Sequence, residues 1–120
     1  MLIRLTQTDY DREIALVALM GKNGNQKIVG VCRIIVYPDG DHAEFALAIS
    51  DDWQGKGIGA CLLKQCLKAA RHLGIKYVLG LVLAENTQML KLGKKLGFTM
   101  KRASPGSEYE LTIEFKDDEL

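Results

Sequence analysis

The sequence predicts an α+β fold, sandwich-like, in which a central mixed but mostly antiparallel sheet carries flanking helices. Three observations lead there. The first half of the 120 residues is a succession of apolar runs broken by short turns bearing Gly, Asn and Asp. The second half adopts the 3.6-residue apolar period twice, with a run of strand character between the two helical stretches. At the junction lies Gln54-Gly-Lys-Gly-Ile-Gly59, a loop whose glycines alternate just ahead of a helix.

Taken in order, REIALVALM (12–20) is a nearly continuous apolar run of strand length. GKNGN (21–25) is a turn by composition, because Gly and Asn tolerate positive φ. KIVGVCRIIVY (27–37), rich in Val and Ile, predicts a long strand folded back on the first. PDGD (38–41) turns the chain again, and HAEFALAIS (42–50) predicts a third strand, which completes a meander. From Ile58 onward Leu63, Cys66, Leu67 and Ala70 fall at helical spacing, with Lys64, Lys68 and Arg71 on the other face. Gly74 suits that helix's end. KYVLGLVLA (76–84) predicts a buried strand. NTQMLKLGKKLGF (86–98) resumes helical spacing through Met89, Leu92 and Leu96, closed by Gly97. TMKRA, SPGS and YELTIEF then predict strand, turn and strand, and 116–120 a solvated tail. The expected order is β-β-β-α-β-α-β-β, in a single domain spanning 1–120.

Composition narrows the function classes. Apolar residues are 48% and charged residues 26%, as in ordinary globular chains. Sixteen Lys and Arg stand against 15 Asp and Glu, a formal net charge of +1. That balance gives no general reason to expect nucleic acid or an anionic membrane as partner. No apolar run reaches membrane-spanning length. Cys32, Cys61 and Cys66 are an odd set without metal-ligand spacing, so no metal is expected, and they read as reduced core residues of a cytoplasmic protein.

The glycine loop carries the chemistry. A helix N-terminus has unpaired N–H groups and the positive end of the dipole, so it attracts phosphate. Glycines let successive N–H groups converge on an anion, and Lys56 adds a charge suited to one. A plain tight turn would use glycine too, but Gln54 and Lys56 beside three alternate glycines favour the phosphate cradle. A Walker A loop needs Ser or Thr after Gly-Lys, and here Gly57 follows. A dinucleotide fingerprint fits poorly, because the spacing is G-x-G-x-G and SDDWQ separates the strand from the glycines.

Gln54-Gly-Lys-Gly-Ile-Gly59 resembles the Q/R-x-x-G-x-G/A pyrophosphate loop of the GNAT N-acetyltransferase superfamily. Asn86 with LGKKLGF is similar to that family's last helix and Leu-Gly-Phe exit, and the similarity runs over roughly 12–115. RLTQTDYDREIALVA and HAEFALAISDDWQGKGIG further resemble the acetyltransferase domain of Pat-type bacterial protein lysine acetyltransferases. The resemblance implies acetyl-CoA as co-substrate, its pyrophosphate on the backbone of Gln54, Gly55, Lys56, Gly57, Ile58, Gly59 and Ala60. It implies that the pantetheine arm pairs with Leu47 and Ile49, where the strand splays from the next at a bulge. It also implies that Asn86 contacts the cofactor, although that residue reads equally as a helix N-cap.

Acetyl transfer to an amine needs the amine neutral, and at pH 7 that costs a free lysine about 4–5 kcal/mol. A carboxylate is the natural proton acceptor. Glu44 shares a strand face with Ala46 and Ala48, small residues that leave room beside it. It also matches the strand glutamate that serves as base in related protein lysine acetyltransferases. An exposed structural glutamate is the plainer alternative. Trp53 is expected to anchor the loop, His42 to border a turn, and Asp51 and Asp52 to cap the coming helix.

Two departures from the family stand out. Where many members carry a tyrosine seven residues after the asparagine, as acid for the leaving thiolate, this chain has Gly93; Tyr109 is a weak substitute. The family's N-terminal strand and helices look shortened or missing, so the chain looks like an excised domain or a natural short form. Missing cover favours a homodimer or docking within a larger parent protein. The expected activity is acetyl transfer to a protein lysine. A small-molecule amine as acceptor, or an idle CoA-binding regulatory module, are the alternatives.

Overall fold

The computed structural model describes residues 1–9, 13–22, 24–103 and 107–116, with 6–9 by backbone alone. Most of the SPGS turn and the tail after Lys116 lie outside these residues. Seven strands form one sheet: β1 (Leu2–Asp9), β2 (Glu13–Met20), β3 (Lys27–Val36), β4 (His42–Ile49), β5 (Tyr77–Leu83), β6 (Thr99–Arg102) and β7 (Glu108–Glu114). Their spatial order is β1-β2-β3-β4-β5-β7-β6. Every neighbouring pair is antiparallel except β4 with β5, whose crossover is the helix α1 (Ile58–His72). A second helix, α2 (Thr87–Lys95), joins β5 to β6.

The mixed sheet with two helices is the predicted fold class, with one strand added. β1 is a full strand, paired antiparallel to β2 through Leu2↔Leu19, Ile3↔Ala18 and Leu5↔Leu16. Its alternation is weak in the sequence, since Arg4, Thr6 and Gln7 interrupt Leu2, Ile3 and Leu5. Pairing with the apolar β2, rather than its own pattern, makes it a strand. Only residues 10–12 separate β1 from β2.

Both helices cover the same sheet face. A Cβ on Gly30 in β3 would lie 2.9 Å from Leu62 of α1, and one on Gly93 of α2 would lie 2.6 Å from Leu111 of β7. Phe45, opposite Ile34 in register, meets Phe98 beyond α2 with ring centroids 5.3 Å apart. Ile34, Leu62, Leu63, Cys66, Val78 and Leu111 are fully buried in this layer. The core thiols are inert: Cys66 bonds the Cys32 carbonyl at 3.5 Å, and its contact together with burial pushes the Cys32 thiol far above its usual range. The opposite face has no helix among the described residues and exposes Ile35, Leu81 and Leu83.

Candidate functional site

β4 and β5 pair only at His42↔Tyr77, Ala43↔Val78 and Glu44↔Leu79. β4 stays on β3 as far as Ile49, while β5 stays on β7 as far as Leu83. Each strand thus follows its other partner, and the two diverge beyond Glu44. The β3–β4 register is unbroken, so the expected bulge in β4 is absent, and the departure of β5 opens the sheet. The resulting cleft of about 530 Å³ is bounded by Leu47, Ala48 and Ile49 on one side and by the start of α2 on the other. The glycine loop and the first turn of α1 close its end.

Hydrogen-bond alternation decides what β4 offers to this cleft. Ser50 N–H donates to Val29 O at 2.9 Å, and Tyr37 N–H donates to His42 O at 2.8 Å. Even-numbered residues of β4 therefore spend their backbone groups on β3, and odd-numbered ones face the side that β5 has left. Leu47 and Ile49 are the odd residues beside the cleft. Gln54 Nε2 donates to the Ile49 carbonyl at 3.1 Å and to Asp51 Oδ1 at 3.3 Å, which ties the loop to the strand end. Leu47 keeps both backbone groups toward the cleft.

Two of the loop glycines are required by backbone conformation, whereas at the third a Cβ would make only ordinary contacts. Gly55 (φ +76°) and Gly57 (φ +83°) are left-handed, and a Cβ on either would meet nothing within 4 Å. Their φ, unfavourable to L side chains, turns the chain around Lys56. A Cβ on Gly59 would come within 3.4 Å of Leu47 and 3.7 Å of Leu92, so hydrogen there keeps the cleft floor open. Gly57 is the N-cap of α1 and brings no side-chain oxygen, nor is there an acid in the first turn. The amides that open the helix, at Ile58, Gly59 and Ala60, have no capping side chain. The Ile58 side chain is buried, so only its N–H is available to a ligand. Asp51 and Asp52 do not cap α1; with Trp53 they form a short 3₁₀ turn upstream.

Asn86 is the N-cap of α2, its Oδ1 accepting from Met89 N–H at 3.1 Å, and it also lines the cleft. Gln88, Met89, Lys91 and Leu92 complete that wall, a role sequence reasoning missed. Met89 and Leu92 fall at core-like spacing, and only the departure of β5 leaves this side of α2 facing an opening. Trp53 is half-buried against the core and lines the cleft as well. Lys56 does not line it; its Nζ lies 5.5 Å from the Trp53 ring centroid.

Glu44 sits on the last paired rung, at the apex of the split. Its side chain points to the helix-free face with Ala46 and Ala48, whereas Leu47 and Ile49 point to the helix side. Ala48 lines the cleft together with Leu47 and Ile49, whereas Glu44, one face over at the closed end of the split, is not among the lining residues. Tyr37 Oη donates to Glu44 Oε2 at 3.5 Å. Partial burial, then the Glu44 charge, raise the Tyr37 phenol above its usual range. His42 stacks on Tyr77 with centroids 4.7 Å apart and pairs with Asp39 at 2.7 Å. It belongs to the turn rather than to the cleft. Tyr109 lies under Arg102 at 5.9 Å, away from the cleft lining. Among the described residues no group of His, Cys, Asp and Glu is arranged to hold a metal, and no helix is long and apolar enough to cross a membrane.

The arrangement suits a long ligand. An anionic segment would meet the α1 amides, an amide-bearing arm would meet Leu47, and a reacting end would emerge toward Glu44. Comparison with known proteins gives the family. The sequence is 32% identical over 102 residues to the acetyltransferase PA5475 of Pseudomonas aeruginosa, covering 85% of this chain and 55% of that protein. The chain thus spans about half the length of this curated relative. The GNAT domain of Streptomyces lividans PAT superposes with a TM-score of 0.76 at 26% identity, over 92% of this chain and 65% of that one. The yncA structure from Salmonella typhimurium, solved with its cofactor acetyl-CoA, shares the fold with a TM-score of 0.74 at 20% identity, over 88% of this chain and 66% of that one. The profile of the acetyltransferase (GNAT) family matches residues 3–98, and the chain belongs to that family.

Proposed function

We propose that this chain is an acetyl-CoA-dependent N-acetyltransferase that delivers acetyl to a protein lysine, with Glu44 as general base. The observation that carries the reading is the split between β4 and β5, which joins an uncapped glycine-bounded helix terminus to a carboxylate at its apex. The cleft fits the group: it is open where Gly59 lacks a side chain, and Leu47 has an unpaired amide and carbonyl for the arm. Bound acetyl-CoA supplies an activated thioester.

The chain's own residues do the rest. Backbone N–H groups of 54–60 hold the pyrophosphate, and Asn86 fixes the opposite wall. An N–H of the freed β4 edge, at Leu47 or Ile49, donates to the thioester oxygen. Glu44 accepts the amine proton as the new N–C bond forms and the C–S bond breaks. Solvent protonates the leaving thiolate, because Gly93 carries no side chain and its Cβ position is blocked by Leu111. Protein lysine as acceptor rests on the resemblance to Pat-type enzymes, and a small amine is the competing acceptor. The cytoplasm, where acetyl-CoA and reduced cysteines coexist, is the compartment proposed.

The test is acetyl transfer by the purified chain to lysine peptides and to small amines, for wild type and Glu44→Gln. The variant is expected to lose about 10²–10⁴-fold in kcat with unchanged acetyl-CoA affinity. Equal turnover by the variant removes Glu44 from the mechanism, and no turnover by wild type on any amine makes the chain a CoA-binding regulator. The exposed Ile35, Leu81 and Leu83 on the helix-free face support self-association as a homodimer. Sedimentation equilibrium is expected to give twice the 13.3 kDa chain mass, and a monomer at high concentration contradicts it.

A further inference from the structure

Two lysines that do not themselves line the cleft converge on the indole of Trp53, which does. Lys27 opens β3, and its Nζ lies 5.7 Å from the Trp53 ring centroid; Lys56 lies 5.5 Å from the same centroid. The Ser50 N–H to Val29 carbonyl bond holds the start of β3 against the end of β4, which brings Lys27 to the loop. Neither ammonium has a carboxylate partner among the described residues. Of the two acids that precede the loop, Asp51 accepts from Gln54, and Asp52 forms no ion pair with either lysine. Two like charges gathered on one ring repel each other, and in a chain of net charge +1 they are no consequence of general basicity. The indole holds both by cation–π attraction, and Trp53 also lines the cleft.

We propose that Lys27, Trp53 and Lys56 form a subsite for the 3′-phosphate of the CoA nucleotide. The inference rests on the acetyl-CoA reading above and goes beyond it. The backbone amides of the loop and of the first turn of α1 suffice for the pyrophosphate. The two ammonium groups outside them are then surplus to that diester and match a further, dianionic phosphate. Trp53 keeps both lysine heads in place before binding, so less side-chain freedom is lost when the ligand arrives. Lys27 is thus a specificity residue supplied by a strand end outside the glycine motif. It would distinguish CoA from nucleotides, including 3′-dephospho-CoA, that have the pyrophosphate alone.

Calorimetric affinities for CoA and for 3′-dephospho-CoA decide the point, measured on wild type, Lys27→Met and Lys27→Glu at low and high salt. Wild type is expected to favour CoA by roughly tenfold at low salt, a preference that salt weakens. Lys27→Met should bring the ratio close to one while leaving the dephospho-CoA affinity unchanged, and Lys27→Glu should lower CoA affinity further. Equal binding of both ligands by wild type overturns the subsite and leaves the acetyl-CoA reading standing. A preference that survives both substitutions also overturns it, because another group then reads the phosphate. Failure of wild type to bind either ligand overturns the subsite and the acetyl-CoA reading together.

Discussion

Gly59 and Gly93 both lack a side chain on the helix-covered side of the sheet, but they serve different ends. At Gly59 the absent Cβ leaves room in a cleft, 3.4 Å from Leu47; at Gly93 it lets α2 sit against Leu111, whose Cδ1 is 2.6 Å from the Cβ position. Leu111 is fully buried, so it has little room to move away. Gly93→Ala is therefore expected to destabilise the fold by about 1–3 kcal/mol, read as a lower urea midpoint at unchanged slope. An unchanged midpoint would show that Leu111 can repack. The same overlap gives a steric reason why a tyrosine does not fit at this position. From the sequence, Gly93 read only as a departure from a family pattern, since the contact that excludes a side chain comes from β7, eighteen residues on.

At the scale of elements, the turn before β4 is held by one carboxylate. Asp39 Oδ1 accepts from Asp41 N–H at 2.8 Å and from His42 N–H at 3.0 Å, while Oδ2 pairs with the His42 ring. These backbone bonds first, with a smaller part from His42, lower the Asp39 pKa below its ordinary 3.8. A depressed carboxylate stabilises the fold above the unfolded-state pKa, and this is lost as pH falls through the folded value. Urea midpoints from pH 6 down to pH 2 should therefore fall more steeply below 3.8 for wild type than for Asp39→Asn. Parallel curves would mean that the turn does not depend on the charge. The elements themselves were largely legible: β2 to β4, both helices and the closing strands fall close to their periodic runs. β1 was not, because an edge strand needs only one apolar partner and shows little alternation of its own.

The whole molecule is a sheet held together along β1–β4 and along β5–β7–β6, and joined at three rungs. That joint is what opens the cleft between the two halves. The glycine loop, Asn86 and Glu44 were each readable as single residues, from helix-terminus physics, capping and strand alternation. Their mutual placement was not, since it depends on β5 leaving β4 just after Glu44, and no local pattern in either strand records it. The α2 wall escaped the sequence for the same reason. The cradle is the part on which everything else depends, and calorimetric titration with acetyl-CoA, with NAD as control, tests it most directly. Saturable 1:1 binding of acetyl-CoA and none of NAD is expected. Binding of NAD in its place, or no binding of acetyl-CoA by the folded chain, would contradict it.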